Sequence, residues 1–227
     1  MDELCVACVW TKGPKPYTEK DVFRLKRMVE FWAPPHLRIK FVCLTDRPKA
    51  LPGIDTIDVK FAELSSWWAK MVLFEPLWRL GMRVIYYDLD TVLVGDQRPL
   101  LTWEGDFGIC ESFTKEIGHK SWPCAYGSCV MSIAPEWGAD IWRNFRARQA
   151  ELILACHRYG DQLAIEKLHP NASLLQHELP KGFFMGYRKL KDHPTAQPVN
   201  TSLVIYAGRR TPANFGPPWI RKYWKSF

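Results

Sequence analysis

The chain opens with an alternation of apolar runs and amphipathic stretches. Residues 4–10 are all apolar and are followed by Thr-Lys-Gly-Pro, which predicts a buried strand that ends in a loop. Residues 38–44 and 83–87 predict two further strands. Between the strands, the spacing of apolar residues predicts one helix that begins near Thr18 and a second helix over residues 65–80. Strands that alternate with helices in this way are typical of an open α/β sheet.

The second half of the chain has a less regular pattern. We predict strands over residues 106–110, 128–133 and 203–206, and helices over residues 135–148 and 160–168. The last twenty residues contain Pro212, Pro217 and Pro218, and we expect an extended loop that closes on a short amphipathic turn. A length of 227 residues suits one domain. The predicted fold class is therefore α/β, with an open, mostly parallel, twisted sheet flanked by helices.

The composition narrows the class of protein. Apolar residues make up 47% of the chain, which is enough for a sizeable core. No apolar run reaches the roughly 18 residues that a membrane-spanning helix requires, and the first residues lack the basic and apolar pattern of a secretory signal. The seven cysteines show no framework spacing, which suits a reducing compartment. We therefore expect a cytoplasmic protein with no membrane span, and nothing in the pattern indicates its oligomeric state.

Positive charge is concentrated near the end of the sequence. The formal net charge is +7, and residues 181–227 contain nine Lys and Arg residues but a single Asp. A basic segment of this kind suits an anionic ligand, which can be a diphosphate, a nucleic acid or an acidic membrane surface. The alternative is a solvated segment that binds no ligand.

Two carboxylates, Asp88 and Asp90, follow the third predicted strand directly. Carboxylates at the end of a buried strand are costly unless a cation binds them. Ligands of open α/β sheets bind beyond the carboxyl ends of the strands, so this Asp-Leu-Asp segment lies where a site is expected. Hard oxygen ligands suit Mn²⁺ or Mg²⁺, which can bridge the protein to a diphosphate. The alternative is a strand end that binds no ligand.

Other chemical motifs are weak in this sequence or missing from it. Cys5 and Cys8 lie three positions apart in a predicted strand, so they point to opposite faces and cannot pair unless the strand breaks. The sequence contains no Gly-x-x-x-x-Gly-Lys phosphate loop and no Gly-x-Ser-x-Gly nucleophile elbow. Kinases, Rossmann enzymes and α/β-hydrolases are therefore disfavoured.

Several segments together resemble one family of enzymes. Residues 68–74, followed by residues 84–95, resemble GT-A-fold glycosyltransferases near family eight, which includes glycogenin and bacterial galactosyltransferases and carries a YLDxDxxv strand end. Residues 160–162 resemble the GDQ segment of that family, and residues 205–212 resemble its closing FHGxxKP segment. The resemblance implies a GT-A-like fold and the metal-dependent transfer of a sugar from a nucleotide-sugar donor such as a UDP-sugar. It also implies that the anomeric configuration is retained.

The same resemblance implies roles for individual residues. Asp88 and Asp90 would ligate the Mn²⁺ or Mg²⁺ cofactor. Asp161 and Gln162 would face the donor sugar and the acceptor and take part in catalysis. The residues implied in binding the donor are Trp10, Thr11, Tyr17, Asp46, Lys70, Arg209 and Arg210.

The closing segment departs from the family pattern at two positions. The family has a His as the third metal ligand where this chain has Ala207, and a phosphate-binding Lys where this chain has Thr211. Because a methyl group cannot bind a metal, we expect the third ligand to come from His193, from Asn214 or from water. The two adjacent arginines named above can supply the missing positive charge, since guanidinium groups bind phosphate bidentately.

We predict a single domain with a nucleotide-binding half (residues 1–95), an acceptor half (96–180) and a basic segment (181–227) that closes over the diphosphate. Two other functions remain open: a non-catalytic protein of this fold that binds a sugar nucleotide or a glycan, and a metal-dependent nucleotidyltransferase, which also uses paired Asp residues. The expected acceptor is a glycan. A nucleic acid is the alternative, because aromatic residues alternate with basic ones near the end of the sequence.

Overall fold

The computed structural model describes residues 3–13, 15–79, 81–113, 122–206 and 210–227. The strands in these ranges are β1 (Glu3–Trp10), β2 (Arg38–Thr45), β3 (Asp55–Asp58), β4 (Arg83–Tyr87), β5 (Val92–Leu93), β6 (Phe107–Glu111), β7 (Tyr126–Ile133), β8 (Ser173–Leu174), β9 (Phe184–Gly186) and β10 (Leu203–Ile205). The α-helices are α1 (Glu19–Trp32), α2 (Arg98–Leu101), α3 (Ala139–Ala147), α4 (Gln149–Cys156), α5 (Asp161–Leu168), α6 (Leu175–Glu178) and α7 (Pro218–Ser226).

Seven of the described strands form the main sheet, in the order β3-β2-β1-β4-β7-β6-β8. Strand β1 pairs in parallel with both β2 and β4, whereas β7 is antiparallel to β4 and to β6. A smaller sheet has the order β5-β10-β9 and brings the closing segment against the end of β4. The predicted α/β class, with an open, mostly parallel sheet flanked by helices, is confirmed.

The main sheet separates two hydrophobic cores. Alternate residues of β1 face opposite sides, as expected for a strand: Cys8 packs in the core that also contains the apolar face of α1, and Cys5 packs in the other core. The second core contains the buried 3₁₀ segment Ser66–Phe74. The prediction that the two thiols point to opposite faces is therefore confirmed.

The carboxyl ends of β1, β2 and β4 meet at one edge of the sheet, as the sequence predicted. The backbone N–H of Lys12, after β1, donates to Asp46 Oδ2, after β2, at 3.3 Å. Asp88 follows β4, and its backbone N–H donates to the carbonyl of Cys129 on β7 at 2.8 Å. These bonds fix the loops that carry the candidate site.

Two of the predicted elements are wrong. The helix expected over residues 65–80 is a 3₁₀ segment, Ser66–Phe74. Packing around its buried part, from Trp68 onward, decides its form, and Pro76 lacks the N–H that a longer helix needs. The loop expected at the end of the sequence closes on helix α7, which is longer than the short amphipathic turn predicted there. Its two prolines occupy the N-cap and first helical positions, where proline is tolerated.

Two elements of the closing segment, β10 and α7, pack in the hydrophobic core. Leu203 and Val204 on β10 and Ile220 and Trp224 on α7 are buried, so these elements do not form a free lid. Closure by the rest of the segment stays a prediction. The division of the chain into two halves and a closing segment stays a prediction. No helix in the described ranges is both long enough and apolar enough to cross a bilayer.

Candidate active site

Asp88 lies between a buried lysine and solvent. Its Oδ1 accepts a hydrogen bond from the hydroxyl of Tyr86 and lies 2.8 Å from the ammonium Nζ of Lys70. The Asp88 side chain nevertheless stays 23% exposed. The protein therefore holds Oδ1 of this carboxylate in place, while part of the side chain stays accessible to a ligand.

Lys70 is the buried cation of the site. Its Nζ donates to the carbonyl and to Oγ of Ser128, at 3.2 Å each, and lies 3.9 Å from Oδ2 of Asp161. Burial alone would lower the pKa of Lys70, but the charges of Asp161 and Asp88 outweigh it and raise the pKa well above the ordinary value. Lys70 thus links the carboxylate that follows β4 to the one that begins α5. Its contact with a donor diphosphate stays a prediction.

Asp161 begins helix α5 at the side of Lys70. Burial raises the pKa of this carboxyl, and Lys70 and a hydrogen bond from Ser128 oppose the rise. Gly160 precedes it with φ +73, and a Cβ at this position would lie 2.9 Å from the ring of Trp67. Gln162 is half-buried in the first turn of the same helix. The structure therefore brings the predicted catalytic pair to the same edge of the sheet as Asp88.

Asp90 is the most deeply buried of the acidic residues at the site, with 1% of its side chain exposed. The ammonium of Lys15, from the loop between β1 and α1, pairs with its Oδ2. Burial raises the pKa of Asp90, and Lys15 works against that rise. Within the described part of the chain, Oδ1 of Asp90 has no hydrogen-bond partner.

The loops after β1 and β2 hold the residues predicted to bind the nucleoside. Trp10 is only 3% exposed, its Nε1 donates to the carbonyl of Tyr17 at 3.0 Å, and the guanidinium of Arg47 covers its ring at 4.1 Å. Thr11 Oγ1 donates to the carbonyl of Ser66 at 3.4 Å. These residues lie at the predicted edge, but Trp10 supports the loop and presents little surface to a base.

In the closing segment, the charge of Asp90 influences Tyr206, which directly follows β10. Burial, and then the charge of Asp90, raise the pKa of Tyr206, whose hydroxyl donates to the carbonyl of Phe215 at 2.8 Å. The guanidinium of Arg210 lies 5.0 Å from the ring centre of Phe215. Arg209 and Ala207 lie outside the described residues.

The chemistry of the site fits a divalent cation. Asp88 and Asp90 are hard oxygen ligands, and the buried, unpartnered Oδ1 of Asp90 is an acceptor that a cation would satisfy. Across the described residues, no three His, Cys, Asp or Glu side chains form a metal-binding group, so His193 does not complete one. Asn214 Oδ1 accepts a bond from the Thr211 N–H at 2.9 Å, so Asn214 caps a turn. Of the predicted third ligands, Asn214 and water therefore stay predictions, and a diphosphate oxygen can be added to them.

The sequence did not predict that Lys15 pairs with Asp90. Lys15 and Asp90 are 75 positions apart, and no local pattern joins them. The one available signal was the position of Lys15 in a loop that follows a strand ending at the same sheet edge as Asp90, which a topology prediction can supply.

Comparison with known proteins identifies the fold. No family model and no curated protein matches the chain. Among solved structures, the chain is similar to the galactosyltransferase LgtC in complex with donor and acceptor sugar analogs, with a TM-score of 0.67 and 17% identity over 99% of this chain and 96% of LgtC.

Two further solved structures support the same assignment. Glycosyltransferase GlyE of Streptococcus pneumoniae TIGR4 gives a TM-score of 0.64 and 16% identity, over 98% of this chain and 60% of GlyE. Mouse xyloside xylosyltransferase 1 gives a TM-score of 0.54 and 14% identity, over 91% of this chain and 97% of the xylosyltransferase. At these identities the comparisons show the fold: the chain has the GT-A glycosyltransferase fold that the sequence predicted.

Proposed function

We propose that the chain is a glycosyltransferase that moves a sugar from a nucleotide-sugar donor, with a UDP-sugar as the first candidate, to a glycan acceptor. The observation that carries this proposal is the pair Asp88 and Asp90 at the carboxyl end of β4, one open to solvent and one with a buried, unsatisfied oxygen. The shared fold with LgtC, which was solved with donor and acceptor sugar analogs, supports the same chemistry.

The protein prepares the site through its buried charges. Lys70 places its positive charge between Asp88 and Asp161 and links the end of β4 to the start of α5. Bound at Asp88 and Asp90, Mn²⁺ or Mg²⁺ would neutralise charge on the leaving nucleoside diphosphate. Asp161 and Gln162 would orient the donor sugar against the acceptor, with retention of configuration by analogy with the fold.

A non-catalytic protein that binds a sugar nucleotide is the second candidate. One observation favours it: in the described ranges, no group of three His, Cys, Asp or Glu side chains could hold a metal ion. The same observation weakens the nucleotidyltransferase alternative, which usually requires a third carboxylate on a neighbouring strand.

A donor hydrolysis and transfer assay tests the proposal. Nucleotide sugars are screened with Mn²⁺ and with chelator, and Asp88→Asn and Asp90→Asn are compared with Asp55→Asn, which changes an exposed carboxylate on β3. We expect Mn²⁺-dependent release of nucleoside diphosphate from the wild type and from Asp55→Asn only. Binding without hydrolysis or transfer would support the non-catalytic candidate, and activity retained in both site variants would refute the assignment of the site.

A further inference from the structure

Each of the paired carboxylates already has a lysine as a partner. Lys70 pairs with Asp88 from the 3₁₀ segment, and Lys15 pairs with Asp90 from the loop between β1 and α1. Any added cation therefore enters a site where each carboxylate already has an ammonium partner. One of these partners must give way for a divalent ion to bind.

The two lysines differ in how firmly they are held. Lys70 is buried and bonded to two atoms of Ser128 as well as to Asp88. The Lys15 side chain is 25% exposed, and besides Asp90 its ammonium contacts the face of the Tyr17 ring, 5.6 Å from the ring centre. A partly exposed lysine on a loop can return to water at little cost. Lys15 is therefore the partner that can leave.

The other oxygen of Asp90 indicates that Lys15 alone does not satisfy the site. Lys15 contacts Oδ2, whereas Oδ1 is buried and makes no hydrogen bond to any part of the chain that the structure describes. A buried carboxylate oxygen without a partner is rare in folded proteins and indicates a missing ion or water. A divalent ion on Asp90 would repel the nearby ammonium, because like charges a few ångströms apart interact strongly in a buried site.

We propose that Lys15 is an internal counter-ion of Asp90 that a divalent cation displaces, and that the displaced ammonium then binds the diphosphate of the nucleotide. The second half of this inference rests on the proposed function. Lys15 makes the site bind a metal weakly on its own and more tightly together with a nucleoside diphosphate. Because such coupling is reciprocal, each ligand raises the affinity for the other by the same factor.

Calorimetric titration of Mn²⁺ without nucleotide tests the displacement. The proteins are the wild type, Lys15→Met, which keeps the apolar stem but removes the charge, and Lys20→Met, which removes an exposed lysine from α1. We expect Lys15→Met to bind Mn²⁺ about 10-fold more tightly than the wild type, within the range of typical coupling, and Lys20→Met to bind it as the wild type does. Lys15→Gln repeats the test with a polar side chain, and thermal unfolding confirms that each variant is folded.

Titration of UDP in the presence of Mn²⁺ tests the second step. Lys15→Met should bind UDP about 10-fold more weakly than the wild type, so that one substitution moves the two affinities in opposite directions. If neither Lys15 variant binds Mn²⁺ more tightly than the wild type, or if none of the proteins binds it at millimolar concentration, the displacement is refuted. If the Mn²⁺ result holds but no nucleotide binds to any protein, the proposed function fails and the counter-ion role of Lys15 stands.

Discussion

The two segments that supply lysines to the paired carboxylates are built in different ways. The 3₁₀ segment Ser66–Phe74 is buried from Trp68 onward, so Lys70 reaches Asp88 from inside the core. The loop that carries Lys15 lies at the surface between β1 and α1. The difference indicates that the two lysines have different roles. Lys70 is a fixed part of the fold, and Lys15 is a partner of the site that a ligand can replace.

Removal of each lysine charge should separate these roles most clearly. We expect Lys70→Met to lower the free energy of unfolding by about 3–5 kcal/mol, because it leaves Asp88 and Asp161 without their buried cation. Lys15→Met should lower it less, by about 1–3 kcal/mol, because it leaves the buried Asp90 without its ammonium partner but removes a side chain that is itself partly exposed. Urea unfolding followed by tryptophan fluorescence measures both. Equal losses in the two variants would remove the distinction.

The pH dependence of the stability lost in Lys70→Met tests the role of Lys70 further. Burial raises the pKa of Asp161 and Lys70 opposes the rise, so the variant should have an Asp161 pKa still further above the ordinary 3.8. A carboxyl with a raised pKa in the folded state destabilises the fold above that pKa and has no such effect below its unfolded value. The defect should therefore shrink as the pH falls from 7 towards 4. Urea unfolding across this range measures it, and a defect independent of pH would show that lost packing, not unpaired carboxylates, causes it.

Gly160 directly precedes Asp161 and so belongs to the part of the site that the fold holds in place. Gly160→Ala should lower the free energy of unfolding by about 1–3 kcal/mol, because φ is +73 and the new Cβ would contact the Trp67 ring at 2.9 Å. Gly53→Ala is the matched control, since Gly53 also has a positive φ, of +77, but no atom lies within 4 Å of the place that its new methyl group would occupy. The difference between the two variants in chemical unfolding measures the ring contact. A loss in Gly160→Ala no greater than in Gly53→Ala would show that this contact is unimportant.

Arg210 should give the smallest effect. It lies in the closing segment beside Phe215, and its loss should weaken nucleoside diphosphate binding by about 1.5 kcal/mol, or roughly tenfold. Calorimetry with UDP and Mn²⁺, without acceptor, measures this. If UDP binding is unchanged while binding to single-stranded RNA falls and loses about one unit of salt dependence, the segment serves a nucleic acid acceptor instead.

Local sequence patterns were sufficient to predict the sheet edge that carries the site. Strands β1, β2 and β4 were predicted to within one residue because each is a short, mostly apolar run followed by turn residues. Their parallel order then placed Asp46 and Asp88 at the same edge of the sheet. The chemistry of the Asp-Leu-Asp segment followed from its position at a strand end, which needs no knowledge of distant contacts.

The errors came from packing and from long-range contacts. The segment after Ser65 is buried on nearly all sides, so its apolar spacing did not distinguish a 3₁₀ segment from an α-helix. Strands β5, β8 and β9, of two or three residues each, were not predicted because they are too short for a period of two to be visible. The pairing of Lys15 with Asp90 joins residues 75 positions apart, so it depends on the completed fold.

The most direct test of the paired-carboxylate site is the unfolding temperature of the wild type and of Asp90→Asn with UDP-sugars, each with and without Mn²⁺. A ligand at about 100 times its Kd stabilises a protein by about 2.7 kcal/mol, which corresponds to roughly 5–10 °C for a chain of this size. The account predicts an Mn²⁺-dependent rise of that size in the wild type and none in Asp90→Asn. The same Mn²⁺-dependent rise in both proteins would contradict it.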